Sequence, residues 1–289
     1  MGVSVSSLWL DLSSDMVSRL ERTVAAAIDR AGSARPVTIF FRADDVAVPG
    51  NSFDRLMALF LAHQLPLSLA VVPAWVTPAR WAGLRKSGAG ERELWCWHQH
   101  GWRHVNHEPA GKKSEFGASR SREAITSDLE KGRYRLQILL GPDFYPAFTP
   151  PWNRCEVTTL QQLKDLGYHA VSRSRGSCCP PPDGLPDIPV DVDLHTRKET
   201  RSEQGWENLL GEIHQAISCG FCGIMIHHQR MNDAAFYFLE QLCRIISTRR
   251  ELFAMHLKDL MQENCVNPSQ ILSAHASSRE QNDSHARKD

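Results

Sequence analysis

The stretch Val37-Thr-Ile-Phe-Phe-Arg-Ala-Asp-Asp-Val46 joins a short apolar run to a pair of acidic residues. Residues 37–41 carry the β-branched and aromatic side chains that favour a strand. Asp44 and Asp45 follow this run directly. Because folds built from parallel strands place their active groups at the carboxyl ends of those strands, we expect this acidic pair to belong to a functional site.

Strand and helix patterns alternate along the rest of the chain. Short apolar runs at residues 67–72, 94–97 and 223–226 are separated by segments whose apolar residues recur at helical spacing. This alternation predicts an α/β fold with parallel strands and helices packed outside them. The length of 289 residues suits a single barrel-like unit, and the sequence shows no internal repeat.

Composition divides the chain into three segments. The first, residues 1–32, predicts an N-terminal amphipathic helix that packs on the barrel, and residues 33–265 form the main domain. Residues 266–289 are polar and predict a disordered tail.

Charge and hydropathy exclude several classes of partner. Lys plus Arg and Asp plus Glu both number 33, so no overall field attracts nucleic acid or a membrane surface. The N-terminus has no basic segment followed by an apolar one, and no run of about 18 apolar residues occurs, which predicts a cytoplasmic protein without membrane spans. In that setting the eight cysteines are expected to be free thiols. The sequence does not indicate an oligomeric state.

A histidine cluster follows the predicted strand near residue 95. Four of the 13 histidines fall between residues 97 and 108. Histidine is the commonest side-chain metal ligand, and His100 and His104 have the spacing that puts two side chains on one face of a helical turn. We expect His98 and His107 to be supporting groups, with His98 hydrogen-bonded to a ligand.

Other polar clusters occupy equivalent positions along the chain. Trp152, Asn153 and Arg154 follow one predicted strand, and His227 and His228 follow another. Acids and histidines that converge at one barrel mouth are what a metal-dependent hydrolase requires, because two imidazoles and a carboxylate leave coordination positions open.

The order and spacing of these clusters resemble the polysaccharide deacetylase (NodB-homology, carbohydrate esterase) family across residues 37–260. The family motif Thr-Phe-Asp-Asp-Gly corresponds to residues 40–46, His-Ser/Thr-x-x-His to 100–104, and a final apolar strand ending in histidine to 224–227. Its Arg-x-Pro-Tyr motif matches residues 149–152 loosely, and its Asp-centred motif is sought at 191–193.

This resemblance implies a distorted (β/α) barrel with about seven parallel strands. It also implies that Asp44 is the catalytic base and that Asp45, His100 and His104 bind one divalent metal. Zinc suits this ligand set best, although iron, cobalt or nickel would also fit. His227 would be the general acid. We prefer it to His228, which faces the opposite way on a strand, because His227 continues the apolar run.

Two departures from the family motifs predict local differences. Thr149 stands where the family has an arginine that orients the base, so either Arg154 or Arg42 would have to supply that charge. Val46 replaces the glycine after the acidic pair, which predicts a different loop and a different substrate. Because tryptophan faces stack on sugar rings, we expect Trp102 and Trp152, with Arg154, to bind the substrate.

The sequence therefore predicts a metal-dependent hydrolase that removes an acetyl group, N-acetyl above all, from a saccharide or a sugar conjugate. Its partner would be a saccharide or another small acetylated molecule. Two alternatives remain open. One is a metal-dependent amidase acting on a non-sugar substrate, and the other is a catalytically inactive barrel that binds sugars.

Overall fold

The computed structural model describes residues 5–32, 35–89 and 91–266. Most of the predicted tail therefore lies outside the described residues. The helices and strands follow one another as α1 (Met16–Ala31), β1 (Val37–Val46), α2 (Asn51–Ala62), β2 (Leu67–Val71), α3 (Pro78–Ser87), β3 (Trp95–His100), α4 (Arg122–Leu140), β4 (Phe144–Thr149), α5 (Val157–Asp165), β5 (Ala170–Val171), β6 (Val192–Asp193), α6 (Ser202–Ser218), β7 (Phe221–Ile226), α7 (Asp233–Thr248), β8 (Leu252–Met255) and α8 (Leu257–Val266).

The strands form one parallel sheet that curls into a half-barrel with helices outside it. Seven of them follow the order β5-β4-β3-β2-β1-β7-β6, and β8 pairs separately with β1. Every strand pairing is parallel. This architecture confirms the predicted α/β distorted barrel. A parallel sheet places all strand ends of one kind at the same edge, so the side chains that follow the strands come together there.

Strand β1 occupies the centre of the sheet. It pairs with β7 along residues 38–43, with β2 near its carboxyl end and with β8 near its amino end. Eight of its ten residues are buried, because helices or neighbouring strands cover it on both faces. This burial explains its nearly continuous apolar sequence, and it makes the polar Arg42 and Asp44 exceptional.

The N-terminal segment packs on the outside of the sheet. Helix α1 contacts α6 and buries Met16, Leu20, Val24 and Ala27. It begins at Met16, after a short 3-10 turn that places the buried ring of Trp9 5.3 Å from Trp206. Within the described residues, no helix is both long enough and apolar enough to span a membrane.

Candidate metal centre

The carboxyl ends of β1, β3 and β7 bring the predicted acids and histidines together. Asp45 lies near the end of β1, and His100 is the last residue of β3. The ligand atoms of Asp45, His100 and His104 all lie within 4.8 Å of one another. Asp45 Oδ1 is 3.2 Å from His100 Nε2 and 3.1 Å from His104 Nε2. We call these three residues the metal ring.

A hydrogen bond fixes which nitrogen of His100 faces the ring. His100 Nδ1 lies 3.0 Å from the carbonyl oxygen of Thr149. A carbonyl only accepts hydrogen bonds, so Nδ1 carries the proton and Nε2 is left to meet Asp45. Among the described residues, the buried Asp45 Oδ1 receives no hydrogen bond. A cation bound between these acceptor atoms would satisfy them, so the donor set fits a divalent metal such as zinc.

The electrostatics of the ring favour cation binding. Burial raises the pKa of Asp45, but the nearby charges of His100, His104 and His227 outweigh this, so the carboxyl ionises well below its usual range. Burial lowers the pKa of His104 to about 4, with a contribution from the charge of His100. Burial also lowers the pKa of His100, but Asp45 and Asp44 overcome that effect and raise it. His100 Nε2 therefore attracts cations, whether a proton or a metal.

Asp45 and His104 both adopt left-handed backbone conformations. Their φ angles are +59° and +58°, values that are uncommon outside glycine. The side-chain amide of Gln229 donates a hydrogen bond of 2.8 Å to the Asp45 carbonyl and so holds that strand end in place. Strained backbone of this kind persists where the surroundings impose it, and it is concentrated at functional sites.

Asp44 is held by Arg42 and not by Arg154. Arg42 Nε donates to Asp44 Oδ1 at 2.8 Å, and Nη2 donates to Oδ2 at 2.9 Å. The two side chains share one face of β1 because they are two residues apart. Arg154 instead donates to the backbone carbonyl of Lys113 in the loop before α4. The charge that Thr149 cannot supply therefore comes from the strand that carries Asp44 itself.

The same ion pair sets the protonation state of Asp44. Burial raises the pKa of this carboxyl, but the charges of Arg42, His100 and His227 outweigh it and hold the pKa below its usual value. Asp44 is consequently ionised at neutral pH, the state in which a carboxylate can accept a proton.

His98 supports the ring through an intermediary. It is fully buried, and its Nε2 lies 2.9 Å from the hydroxyl of Thr149, whose carbonyl orients His100. Burial, together with the charge of Arg42, lowers the pKa of His98 to about 3. His98 is therefore neutral, and its hydrogen-bond partner is Thr149 and not the ligand carboxylate that the sequence analysis expected.

His227 and His228 face opposite ways. The imidazole of His227 is half-buried, and its charge lowers the pKa of both Asp44 and Asp45, so it lies within electrostatic range of the two carboxylates. His228 is buried with its ring 5.4 Å from that of Phe53, and burial lowers its pKa to about 4. His228 thus packs against the core, whereas the charge of His227 acts on both acids.

A third histidine, His195, underlies this end of β7 and was missed from the sequence. It is fully buried, and its Nδ1 accepts a hydrogen bond of 3.1 Å from the backbone N–H of His227. His195 lies two residues after Asp193, where β6 ends, and nothing in the sequence relates it to His227.

Two tryptophans flank the ring, and one of them was not predicted. The ring of Trp152 lies 4.4 Å from that of His104, and Trp75 lies 5.7 Å from the same histidine. Trp75 is 37% exposed and follows the end of β2, which was the available signal. Trp102 instead is partly buried and packs on the cluster that contains Phe116.

Two sequence expectations fail at this site. His107 is exposed in the loop before α4, where its backbone N–H bonds to Ser114, and the structure does not bring its side chain to the ring. The Asp-centred segment also turns away. Asp193 accepts hydrogen bonds from its own turn at His195, and Asp191 pairs with Arg175. Local hydrogen bonds thus occupy both carboxylates.

Comparison with solved structures relates this architecture to known proteins. A protein assigned as a polysaccharide deacetylase from Mycobacterium smegmatis superposes with a TM-score of 0.57 at 14% identity, covering 80% of this chain and 94% of that chain. A CE4 esterase from Streptococcus mutans gives 0.52 at 13% identity, covering 82% and 90%. A mutant of a CE4 family pseudoenzyme gives 0.50 at 12%, covering 80% and 68%.

These TM-scores show a shared fold at low sequence identity. The chain has the fold of the polysaccharide deacetylases and CE4 esterases, in a divergent form. No family model matches it, and no curated protein sequence gives a significant match.

Proposed function

We propose that this chain is a divalent-metal-dependent hydrolase that removes an acetyl group, N-acetyl above all, from a saccharide or sugar conjugate. The observation that carries the proposal is the metal ring beside a separate, arginine-held carboxylate and a histidine. Asp45, His100 and His104 by themselves would account for metal binding without any catalysis. The additional buried pair of Arg42 and Asp44 suits proton transfer, which a purely sugar-binding barrel does not need.

The metal ring would hold the cofactor. Two imidazoles and one carboxylate leave coordination positions open, and zinc matches this mixture of nitrogen and oxygen ligands. When bound, such an ion supplies Lewis acidity toward an acyl oxygen and lowers the pKa of water.

Asp44 and His227 would move the protons. Asp44 is ionised, and both its oxygens are fixed by Arg42, so it is positioned to take a proton from the attacking water. His227 lies beside the same carboxylates and would give a proton to the departing amine nitrogen. The buried His195, bonded to the backbone of His227, holds this histidine at the mouth of the barrel.

The aromatic walls support a sugar as the substrate. Trp75 and Trp152 stand around His104, and Trp75 keeps more than a third of its surface exposed. An exposed indole face beside a metal ring suits the apolar face of a pyranose. The predicted role of Trp102 in stacking has less support, because its ring packs on the core.

The first test combines metal content with acetate release. Purified protein is loaded with zinc, and bound metal and hydrolysis of a panel of N-acetylated sugars are measured. We expect about one zinc per chain, and we expect the His100→Ala/His104→Ala variant to lose both metal and turnover. His107→Ala is the matched control, because it removes an exposed histidine from the following loop. Wild-type protein without bound metal would refute the proposal.

A second variant separates metal binding from catalysis. Asp44→Asn should keep the zinc and lose turnover by about 100-fold or more, because the amide cannot act as a base. Hydrolysis of non-sugar amides with none of acetylated sugars would favour the amidase alternative. Bound zinc and bound sugar without any hydrolysis would favour the inactive barrel.

A further inference from the structure

The turn that carries His104 is folded around a buried carboxylate that the proposed reaction does not use. This carboxylate belongs to Glu115, whose side chain is completely buried. Glu115 comes from the long polar loop between β3 and α4, to which the chemistry of the ring assigns no role. A buried carboxylate is costly unless hydrogen bonds satisfy it, so its partners indicate what it stabilises.

Both oxygens of Glu115 accept hydrogen bonds from the turn itself. Oε1 accepts from the backbone N–H of Arg103 at 2.6 Å, and Oε2 accepts from that of Trp102 at 3.2 Å. These are the two residues between Gly101 and the left-handed His104. Successive N–H groups that converge on one anion form a compact and directional site. The carboxylate therefore fixes the backbone immediately before the ligand.

Gly101 makes room for this arrangement. Its φ angle is +59°, and a Cβ atom added there would lie 2.2 Å from Glu115 Oε2 and 2.5 Å from Pro151 Cγ. In the motif that this segment resembles, the position holds Ser or Thr. Here the space that such a side chain would need is taken by a carboxylate that arrives from 14 residues further along the chain.

The loop is closed on itself, so it presents Glu115 in a defined position. The side-chain oxygen of Asn106 accepts from the backbone N–H groups of Glu108, at 3.1 Å, and Ser114, at 2.9 Å. Arg120 Nη1 donates to the carbonyl of Glu115 at 3.1 Å. The loop thereby acts as a strap that inserts one carboxylate under the turn.

We propose that Glu115 is a positioning residue for the metal ring, because its carboxylate sets the 101–104 turn and thereby places His104 Nε2 opposite Asp45. The inference rests on the proposed function in one respect, namely that His104 binds the metal. It assigns the long loop a purpose, which is to replace a side chain that Gly101 lacks.

The test measures zinc affinity in folded protein. Competition with a chromophoric chelator gives the Kd of wild type, of Glu115→Gln and of Glu108→Gln. Glutamine keeps the size of Glu115 but turns one acceptor into a donor that faces an N–H. We expect zinc binding to weaken about 10- to 100-fold, the usual effect of removing a partner of a metal ligand. The cobalt-loaded variant should also show a changed visible absorption spectrum.

Glu108→Gln is the matched control. Glu108 lies in the same loop and accepts from Ser119, so its substitution perturbs the loop without touching the turn. We expect its zinc Kd to match that of wild type. Thermal unfolding of the metal-free variants shows whether a weaker zinc Kd comes from loss of the fold or from a displaced His104.

The role of Glu115 and the proposed function would fail by different results. If wild type binds no zinc, the proposed function fails. If wild type binds zinc and Glu115→Gln binds it equally well, the role of Glu115 is refuted while the function stands. If Glu115→Gln does not fold, Glu115→Asp replaces it, since that change keeps the charge and withdraws the carboxylate by one methylene. An unchanged Kd in Glu115→Asp refutes the role, and about fivefold or greater weakening supports it.

Discussion

At the scale of single residues, the centre of the barrel depends on one fully buried guanidinium. Arg42 has five N–H groups, and the structure offers them five oxygen acceptors. Two are the oxygens of Asp44, two are the carbonyl and hydroxyl oxygens of Ser172, and the fifth is Asn153 Oδ1. Arg42 thus links β1 to the segments that follow β5 and β4. A buried ion pair with complete hydrogen bonding is costly to break from either side.

Replacing Arg42 tests whether it controls Asp44. In Arg42→Gln, the loss of positive charge should raise the pKa of Asp44, so the acidic limb of the kcat/KM profile moves to higher pH. Turnover at the optimum should fall by about 100-fold, because the carboxylate is no longer held from both oxygens. The comparison is Arg154→Gln, whose acidic limb should stay at the wild-type position. Coinciding limbs for wild type and Arg42→Gln would contradict this assignment.

Some residues of the site could be predicted from the sequence, and others could not. The resemblance to the deacetylase motifs singled out Asp45, His100 and His104, and the structure brings their ligand atoms together. His107 looks the same in the sequence, but the loop carries it outward. Glu115 and His195 could not be found, because their partners are set by long-range packing that no local pattern encodes. The choice of Arg42 over Arg154 likewise required the register of β1.

At the scale of elements, the fit between α4 and β3 depends on a glycine inside the helix. Gly132 lies over Gln99, and a Cβ atom there would be 2.2 Å from Gln99 Nε2. Gln99 is fully buried and donates to the carbonyl of Gly101, in the turn that leads to His104. The absence of a side chain lets the helix approach the strand that carries His100.

Two glycine substitutions in helices should therefore have opposite effects. Gly132→Ala should destabilise the protein by about 1–3 kcal/mol, because overpacking against Gln99 exceeds the gain in helix propensity. Gly211→Ala in α6, where nothing lies within 4 Å of the added Cβ, should stabilise it by about 0.5–1 kcal/mol. Urea unfolding of both variants measures the difference. A stabilised Gly132→Ala would show that α4 can move away without cost.

The elements were predicted best where burial is continuous. The apolar runs of β1, β2 and β7 matched strands of the predicted kind, since a parallel sheet buried on both faces needs them. The strands at Ala170–Val171 and Val192–Asp193 are shorter, with two residues each. Between them the chain pairs through isolated bridges, and Arg173 bonds to Asp187 and to the backbone carbonyl of Cys179.

At the scale of the whole molecule, burying histidines near the barrel mouth makes stability depend on pH. Burial lowers the pKa to about 3 for His98 and to about 4 for His104 and His228. In the unfolded chain these groups have pKa values near 6.5. His100 behaves in the opposite way in metal-free protein, since its raised pKa contributes stability that is lost only as the pH rises above about 6.5.

The free energy of unfolding changes with pH because the folded and unfolded chains bind different numbers of protons. Between about pH 6.5 and pH 4 the unfolded chain binds protons that the folded chain refuses, so the free energy of unfolding falls as the pH falls. Each neutral buried histidine contributes up to about 1.4 kcal/mol per pH unit in this window. Aspartates with lowered pKa values act only below about pH 4, so they do not obscure the effect. Metal-free protein should accordingly be most stable somewhat above pH 6.5, where the unfolded chain has released most of these protons and His100 in the folded chain still keeps its own.

Substituting one of these buried histidines measures how much it contributes to the change in the free energy of unfolding with pH. His228→Leu removes a buried titrating group from the contact with Phe53, and among the described residues the Nδ1 of His228 has no hydrogen-bond partner to lose. Urea unfolding in the presence of a chelator, from pH 7 to pH 5, should show a slope shallower than wild type by about 1.4 kcal/mol per pH unit at its acidic end. His107→Leu, in an exposed position, should keep the wild-type slope. Equal slopes for all three proteins would contradict this prediction. They would mean that His228 can be protonated in the folded protein despite its burial.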